Sequence, residues 1–235
     1  MENTNLSQIA ESKNALAMVD SRYPNRWFDA WGADVEKDIP NIWRAADYTV
    51  TATGTSPVTS SVLPGALYLI TSGASDFDGD NIQALGSRFK LDAGKPCYFG
   101  AKVTINEATQ SDLLIGLCGV DTTLTAASSA HAIAVGAGGV FFSKMDNSTA
   151  VNFKTYTTAT EMNTASASVI DVAAHIYEFY FDGYSLFGYV DGVLIAKFTS
   201  NITTEVLTPS VVFRTGSGAA KTCTVHWTRA IAVRS

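Results

Sequence analysis

Residues Phe179–Phe198 read FYFDGYSLFGYVDGVLIAKF, with two Asp-Gly pairs nine residues apart between apolar runs. Bulky residues recur at alternate positions on either side of each pair, the period of a strand whose side chains point to opposite faces in turn. Asp-Gly between such runs is a hairpin signal, because tight primed turns need positive φ angles that Asp tolerates and Gly adopts freely. On this reading Asp182 and Asp191 turn the chain. Phe179, Phe181, Phe187 and Tyr189 supply core on one face, and valine at Gly192 is expected to unfold the domain.

The same pattern extends in both directions. From Thr49 onward come YTVTAT, ALYLITS, SRFKL, YFGAKVTIN, LLIGLCGV, HAIAVGA, GVFFSKM, VNFKTYT, HIYEFYF, SVVFRTG and TCTVHWTRAIAV, parted by Gly, Asp, Asn and Pro. Short strands with such turns predict an all-β protein of two packed antiparallel sheets. No fixed repeat supports a propeller or solenoid. Residues 1–48 differ. Leu6, Ile9, Lys13 and Leu16 give helical spacing over about 5–20, too sparsely apolar to stand alone. An irregular stretch follows with Trp27, Phe28, Trp31 and Trp43, broken by Pro24, Gly32 and Pro40. Such a segment folds back on the core or docks on another chain. The expected organisation is an N-terminal arm, 1–48, and a β body, 49–235.

Composition narrows the function classes. Only 16% of the 235 residues are charged, the net charge is −6, and no basic stripe offers a nucleic-acid groove. No apolar run is long enough to cross a membrane, and the N-terminus lacks the pattern of a secretory signal. The sequence thus predicts neither nucleic acid nor membrane as a partner, and a protein made in the cytoplasm. Cys97, Cys118 and Cys223 each sit in an apolar run and read as buried thiols.

Candidate chemistry is sparse. In SDFDGDN, Asp76, Asp78 and Asp80 alternate as in calcium loops, but Asn81 and Ser87 stand where an EF-hand needs glycine and glutamate. A solvated turn is the simpler reading, with these three as the metal candidates. Asp34, Glu36 and Asp38 read as an exposed connector. Glycosidases built on a concave sheet carry Glu-x-Asp-x-x-Glu or a close variant, and no such string occurs; Glu178 and Asp182 are four apart, but Asp182 belongs to a turn. His131, His175 and His226 lack ligand spacing, and there is no Gly-x-Ser-x-Gly elbow or phosphate loop. The expectation is no catalytic residue and no cofactor.

SLFGYVDGVLIAKF resembles a hairpin of laminin-G-like and concanavalin A-like jelly rolls, and TCTVHWTRAIAV is similar to their last core strand. The stretch Gly79–Leu124, with GDNIQ, AGKPCYFGAKV and EATQSDLLIGLCGVDTTL, resembles tailed-bacteriophage virion proteins that carry such a domain. The resemblance implies a two-sheet jelly-roll sandwich with a partly helical N-terminal arm. It implies a virion structural protein, a decoration or cement protein on the capsid exterior, assembled in the host cytoplasm. Trp27, Phe28, Trp31 and Trp43 would then seat the arm on the major capsid protein or on sister copies, a homotrimer by family analogy. The alternative is a carbohydrate-binding module for host adsorption, with a host glycan as partner and Tyr156, Tyr184 and Trp227 as candidate contacts.

Overall fold

The computed structural model describes residues 35–38, 45–54, 58–60, 66–86, 88–124, 138–157 and 160–233. The helix expected over about 5–20, the HAIAVGA run, and Trp27, Phe28, Trp31 and Trp43 lie outside the described residues. The strands are β1 (Val35–Asp38), β2 (Tyr48–Thr53), β3 (Val58–Ser60), β4 (Tyr68–Thr71), β5 (Gly79–Ala84), β6 (Cys97–Ile105), β7 (Ser111–Cys118) and β8 (Gly139–Lys144). They continue with β9 (Ala150–Thr157), β10 (Thr160–Val169), β11 (Ala174–Phe181), β12 (Leu186–Val190), β13 (Val193–Phe198), β14 (Thr208–Thr215) and β15 (Thr222–Val233). A first sheet runs β13-β12-β11-β6-β15-β4-β3, with β1 also on β15; a second runs β10-β9-β8-β7-β14-β5-β2. Every pairing is antiparallel, and the described residues form an all-β jelly-roll sandwich.

The hairpin that opened the sequence analysis forms as expected between β12 and β13. Asp191 and Gly192 take φ of 51° and 74°, the pair of positive values a primed turn requires. The Asp191 carboxylate also works as a clamp. Its Oδ1 accepts the Ile176 N–H at 2.8 Å and its Oδ2 meets His175 Nδ1 at 2.7 Å, tying the turn to the start of β11. Asp182 turns the chain differently. Only Gly183 has positive φ there, 99°, while Asp182 Oδ1 accepts the N–H groups of Tyr184 and Ser185.

Between the sheets lies one apolar core. From the second sheet it takes Leu113, Ile115, Leu117, Phe142, Phe153, Val211 and Phe213; from the first it takes Phe99, Ala101, Tyr177, Phe179, Phe181 and Val225. Phe153 bridges them, its ring centroid 4.7 Å from that of Phe142 and 6.0 Å from that of Phe179. Packing corrects part of the sequence reading. Phe187 and Tyr189 pair with Tyr180 and Glu178 and so face outward, while Leu186 and Val190 point into the core. Between them Gly188 leaves room for Phe153, whose ring a β-carbon would crowd. Aromatic bulk was a misleading guide because the larger residues occupy the outer parity of this strand. At Gly192 a β-carbon would meet nothing within 4 Å, so valine brings backbone strain there and no clash.

Three other segments depart from expectation. Val35–Asp38, read as a connector, pairs with Ala230–Val233 of β15. Thr160–Val169 is a strand, although its Ser, Thr and Ala content carries little apolar alternation. SRFKL contributes a single bridge, Phe89 to Leu207. Cys97, Cys118 and Cys223 are buried free thiols.

Candidate functional site

The outer face of the second sheet gathers many of the polar side chains that the fold holds in fixed places. On β7 the core takes Leu113, Ile115 and Leu117, so Asp112, Leu114, Gly116 and Cys118 point outward. Register carries that parity across the sheet to Asn81 and Gln83 on β5, Val212 and Arg214 on β14, and Phe141 and Ser143 on β8. It continues to Asn152, Lys154 and Tyr156 on β9, and to Glu161 and Thr164 on β10. Leu114, Cys118, Phe141, Tyr156 and Val212 form a second apolar cluster on this face, and Leu124 caps it. The chain leaving β7 is pinned over β5: Gln83 Nε2 donates to the Gly119 carbonyl at 3.0 Å, Gln83 Oε1 accepts the Asp121 N–H at 2.9 Å, and Asn81 Nδ2 donates to the Asp121 carbonyl at 2.7 Å.

Beyond that cap, β8–β10 carry a lane of polar groups. Lys154 Nζ lies 2.7 Å from Glu161 Oε2, and the Tyr156 hydroxyl donates to the same oxygen at 2.8 Å. Burial works to raise the Glu161 carboxyl, but the bonds from Lys154 and Tyr156 and the lysine charge outweigh it and hold the carboxyl below its ordinary value. Burial, then the bond to Glu161, pushes the Tyr156 hydroxyl up, so it stays a donor at physiological pH. Glu161 keeps 41% of its side chain exposed, and Thr164 beside it is exposed. Ser143 is buried and its Oγ has no hydrogen-bond partner; Asn152, its register neighbour, is half-buried. A carboxylate, an ammonium, hydroxyls and an amide beside the Phe141–Leu114 floor can exchange hydrogen bonds with a polyhydroxylated ligand.

The end of the face near Asp112 is used internally. Asp112 Oδ1 accepts the Asp146 N–H at 2.7 Å. Burial raises the Asp146 carboxyl; the Asn147 N–H works against this, and the charges of Asp112 and Asp76 add to it. Lys144, fully enclosed, donates to the Ser111 carbonyl, to the Thr109 and Met145 carbonyls at 3.3 Å, and to Ser111 Oγ at 3.2 Å. Burial lowers its amine to about 8, against the pull of Asp112, Asp146 and Glu107. Asp112 and Glu161 stand on the order of 20 Å apart by strand and row spacing, far beyond the 5–10 Å of a glycosidase pair.

The residues singled out in sequence do not converge. Tyr156 is buried in the outer cluster of the second sheet, Tyr184 is 74% exposed on the β11–β12 turn, and Trp227 lies half-buried on the outer face of the first sheet. Asp76, Asp78 and Asp80 do not build a calcium site. Asp78 Oδ2 accepts the Ser75 N–H at 3.2 Å, Asp80 pairs with Phe213 on the core side, and no group of three acidic, histidine or cysteine side chains among the described residues could hold a metal ion. His175 is held by Asp191 and Asp171, and His226 Nε2 meets Thr104 Oγ1 at 2.9 Å; His131 lies outside the described residues. Sequence reasoning missed Lys154 and Glu161, since β10 carries no strand signature that would have brought them together.

No family model matches the chain, and no curated protein is similar to it in sequence. Solved structures are similar in fold. A Bacillus licheniformis beta-glucanase superposes with a TM-score of 0.61 at 12% identity, covering 86% of this chain and 98% of its own. The kappa-carrageenase from Pseudoalteromonas carrageenovora, in complex with an oligotetrasaccharide of kappa-carrageenan, gives 0.56 at 11%, covering 87% and 97%. The carbohydrate recognition domain of Emp47p gives 0.56 at 8%, covering 81% and 88%. At such identities the likeness speaks for the fold alone. Nothing in these likenesses links the chain to a bacteriophage virion. The fold is the concanavalin A-like jelly roll, shared with glycosidases and with carbohydrate-recognition domains.

Proposed function

We propose that the chain is a carbohydrate-binding domain without hydrolytic activity, receiving its ligand on the outer face of β8–β10. The observation that carries this reading is the lane Ser143–Asn152–Lys154–Thr164–Glu161, which ends in a buried Ser143 Oγ with no partner. Fold likeness to carbohydrate-recognition domains supports it. Binding without turnover is favoured because Asp112 and Glu161, carboxylates at the two ends of this face, stand on the order of 20 Å apart, too far to act as a glycosidase pair. The capsid-decoration role, with its trimer and its contact to a major capsid protein, draws no support from the comparisons. The host-adsorption alternative takes its place, with a virion as carrier on the strength of the Gly79–Leu124 resemblance alone.

A glycan array with the full chain tests the reading. Saturable binding is expected, and Glu161→Gln should weaken it about tenfold by removing a charge-assisted acceptor. An array without a hit, or affinity unmoved by both Glu161→Gln and Lys154→Ala, would sink the site. Release of reducing ends from any bound polysaccharide would replace binding by hydrolysis.

A further inference from the structure

The outer face of the first sheet is aromatic, and its rings are nearly dry. Register sets Tyr98, Tyr180 and Phe187 in one row and Gly100, Glu178 and Tyr189 in the next, with Trp227 beside Lys102 further along. Tyr98 lies across Gly100, where a β-carbon would collide with its hydroxyl, and donates to Glu178 Oε1 at 2.7 Å. The Arg229 guanidinium sits 4.4 Å from the Trp227 ring centroid and the Lys197 amine 5.0 Å from that of Phe187. Tyr98, Tyr180, Phe187 and Tyr189 are only 4%, 5%, 7% and 8% exposed, and Glu178 only 6%. Rings this large on a bare outer face would be largely wet. Yet every described strand belongs to one of the two sheets, and the second sheet packs on the opposite, inner face.

Two long stretches lie outside the described residues, 1–34 and 125–137. The latter joins β7 to β8 and so starts and ends on the second sheet. The former leads directly into β1, which pairs with Ala230–Val233 at the edge of the aromatic face. From β1 to β12 is four strand spacings, about 19 Å, well within the reach of such a segment even at the 1.5 Å per residue of a helix. Its composition is complementary: Tyr23, Trp27, Phe28 and Trp31 for the rings, and Lys13, Arg22 and Arg26 for the enclosed Glu178. The Tyr180 hydroxyl, buried without a hydrogen-bond partner, leaves a polar demand on the same surface.

We propose that the outer aromatic face of the first sheet is the docking surface for the chain's own residues 1–34, with Trp27, Phe28 and Trp31 as the anchors. The aromatic segment that resembles an external anchor then serves its own domain. Photo-crosslinking on the full chain tests this: p-benzoylphenylalanine replaces Phe187, and ordinary and nitrogen-15-labelled protein are mixed before irradiation. The expected product has the mass of one chain and joins position 187 to a peptide within 1–34. Light–heavy dimers, links to other segments, or no link would each overturn the proposal. In a second measurement, trypsin should cut after Lys13, Arg22 and Arg26 about tenfold faster in full-length Phe187→Asp than in the unaltered chain, because cleavage follows the open population. Equal rates, with near-ultraviolet dichroism confirming an intact core in both, would overturn it as well; should Phe187→Asp fail to fold, the crosslink decides.

Discussion

Two tyrosine–glutamate pairs sit on opposite outer faces of the sandwich. Tyr98 donates to Glu178 at 2.7 Å on the first sheet, and Tyr156 donates to Glu161 at 2.8 Å on the second. The bonds are alike, yet the carboxyls move in opposite directions. At Glu178 burial dominates and raises the carboxyl above its ordinary 4.5, against the Tyr98 bond and the Arg229 charge. At Glu161 burial pushes the same way but loses to Lys154 and Tyr156 together. A tyrosine bond does not set the charge of a carboxylate. The cation in direct contact and the remaining access to water do.

The largest effect separating the two faces is expected from their glycines. A β-carbon at Gly116 would collide with the Val140 carbonyl and crowd the Phe141 backbone, so β7 and β8 would have to part. Gly116→Ala should cost ~3 kcal/mol, or prevent folding. At Gly100 the collision is with the end of the Tyr98 side chain, which can swing away at the loss of its bond to Glu178. Gly100→Ala should cost roughly 1–2 kcal/mol. Urea midpoints of both variants check this, and equal costs would break the contrast.

The thiols ask whether the capped cluster on the second sheet is as dry as the central core. Burial lifts Cys97 from 9.0 to about 12 and lifts Cys118 and Cys223 higher still. Above pH 9 the unfolded chain releases these protons while the folded chain keeps them, so stability falls as pH rises, by up to ~1.4 kcal/mol per pH unit and thiol. Cys118, in the outer cluster, and Cys223, in the core, should flatten the alkaline limb equally when replaced by alanine. A smaller effect at Cys118 would show water reaching the cluster.

The glutamates give the next contrast, in the acid range. Glu178, raised, stabilises the fold at low pH, and that contribution is lost as pH climbs from about 4.5 through its folded value. Glu161, lowered, contributes above its ordinary value and loses the contribution as pH falls. Glu178→Gln and Glu161→Gln should therefore change the slope of stability against pH with opposite signs between pH 3 and 7, measured by denaturation midpoints. Slopes changing in the same direction would contradict the assignment. At the hairpin there is no clash at all: Gly192→Ala meets open space and should cost about 1 kcal/mol through its positive φ alone, read from its urea midpoint.

Strand existence was legible wherever apolar alternation met turn chemistry, as in HIYEFYF, SLFGYV and VLIAKF, which become β11, β12 and β13. Which face each parity served was not. Phe187 and Tyr189 look more core-like than Leu186, Gly188 and Val190, and only the register against Phe153 and Tyr180 assigns them. The polar lane was hidden for a related reason. Lys154 and Glu161 are joined by the pairing of β9 with β10, and TEMNTASASV offers no apolar period from which that pairing could be foreseen. Local sequence reports propensity and turns, whereas the site depends on which strands become neighbours.

Strand β15, the last of the described strands, lies between β6 on one side and β4 with β1 on the other. Until Thr222–Val233 emerges from the ribosome, the first sheet remains two unjoined pieces, each with an unsatisfied edge. The first sheet therefore cannot close before Val233 has been made, and a nascent chain stalled before residue 222 exposes β6 and β4 as templates for mispairing. A chaperone that shields such edges is expected to matter more for this protein than its final stability would suggest.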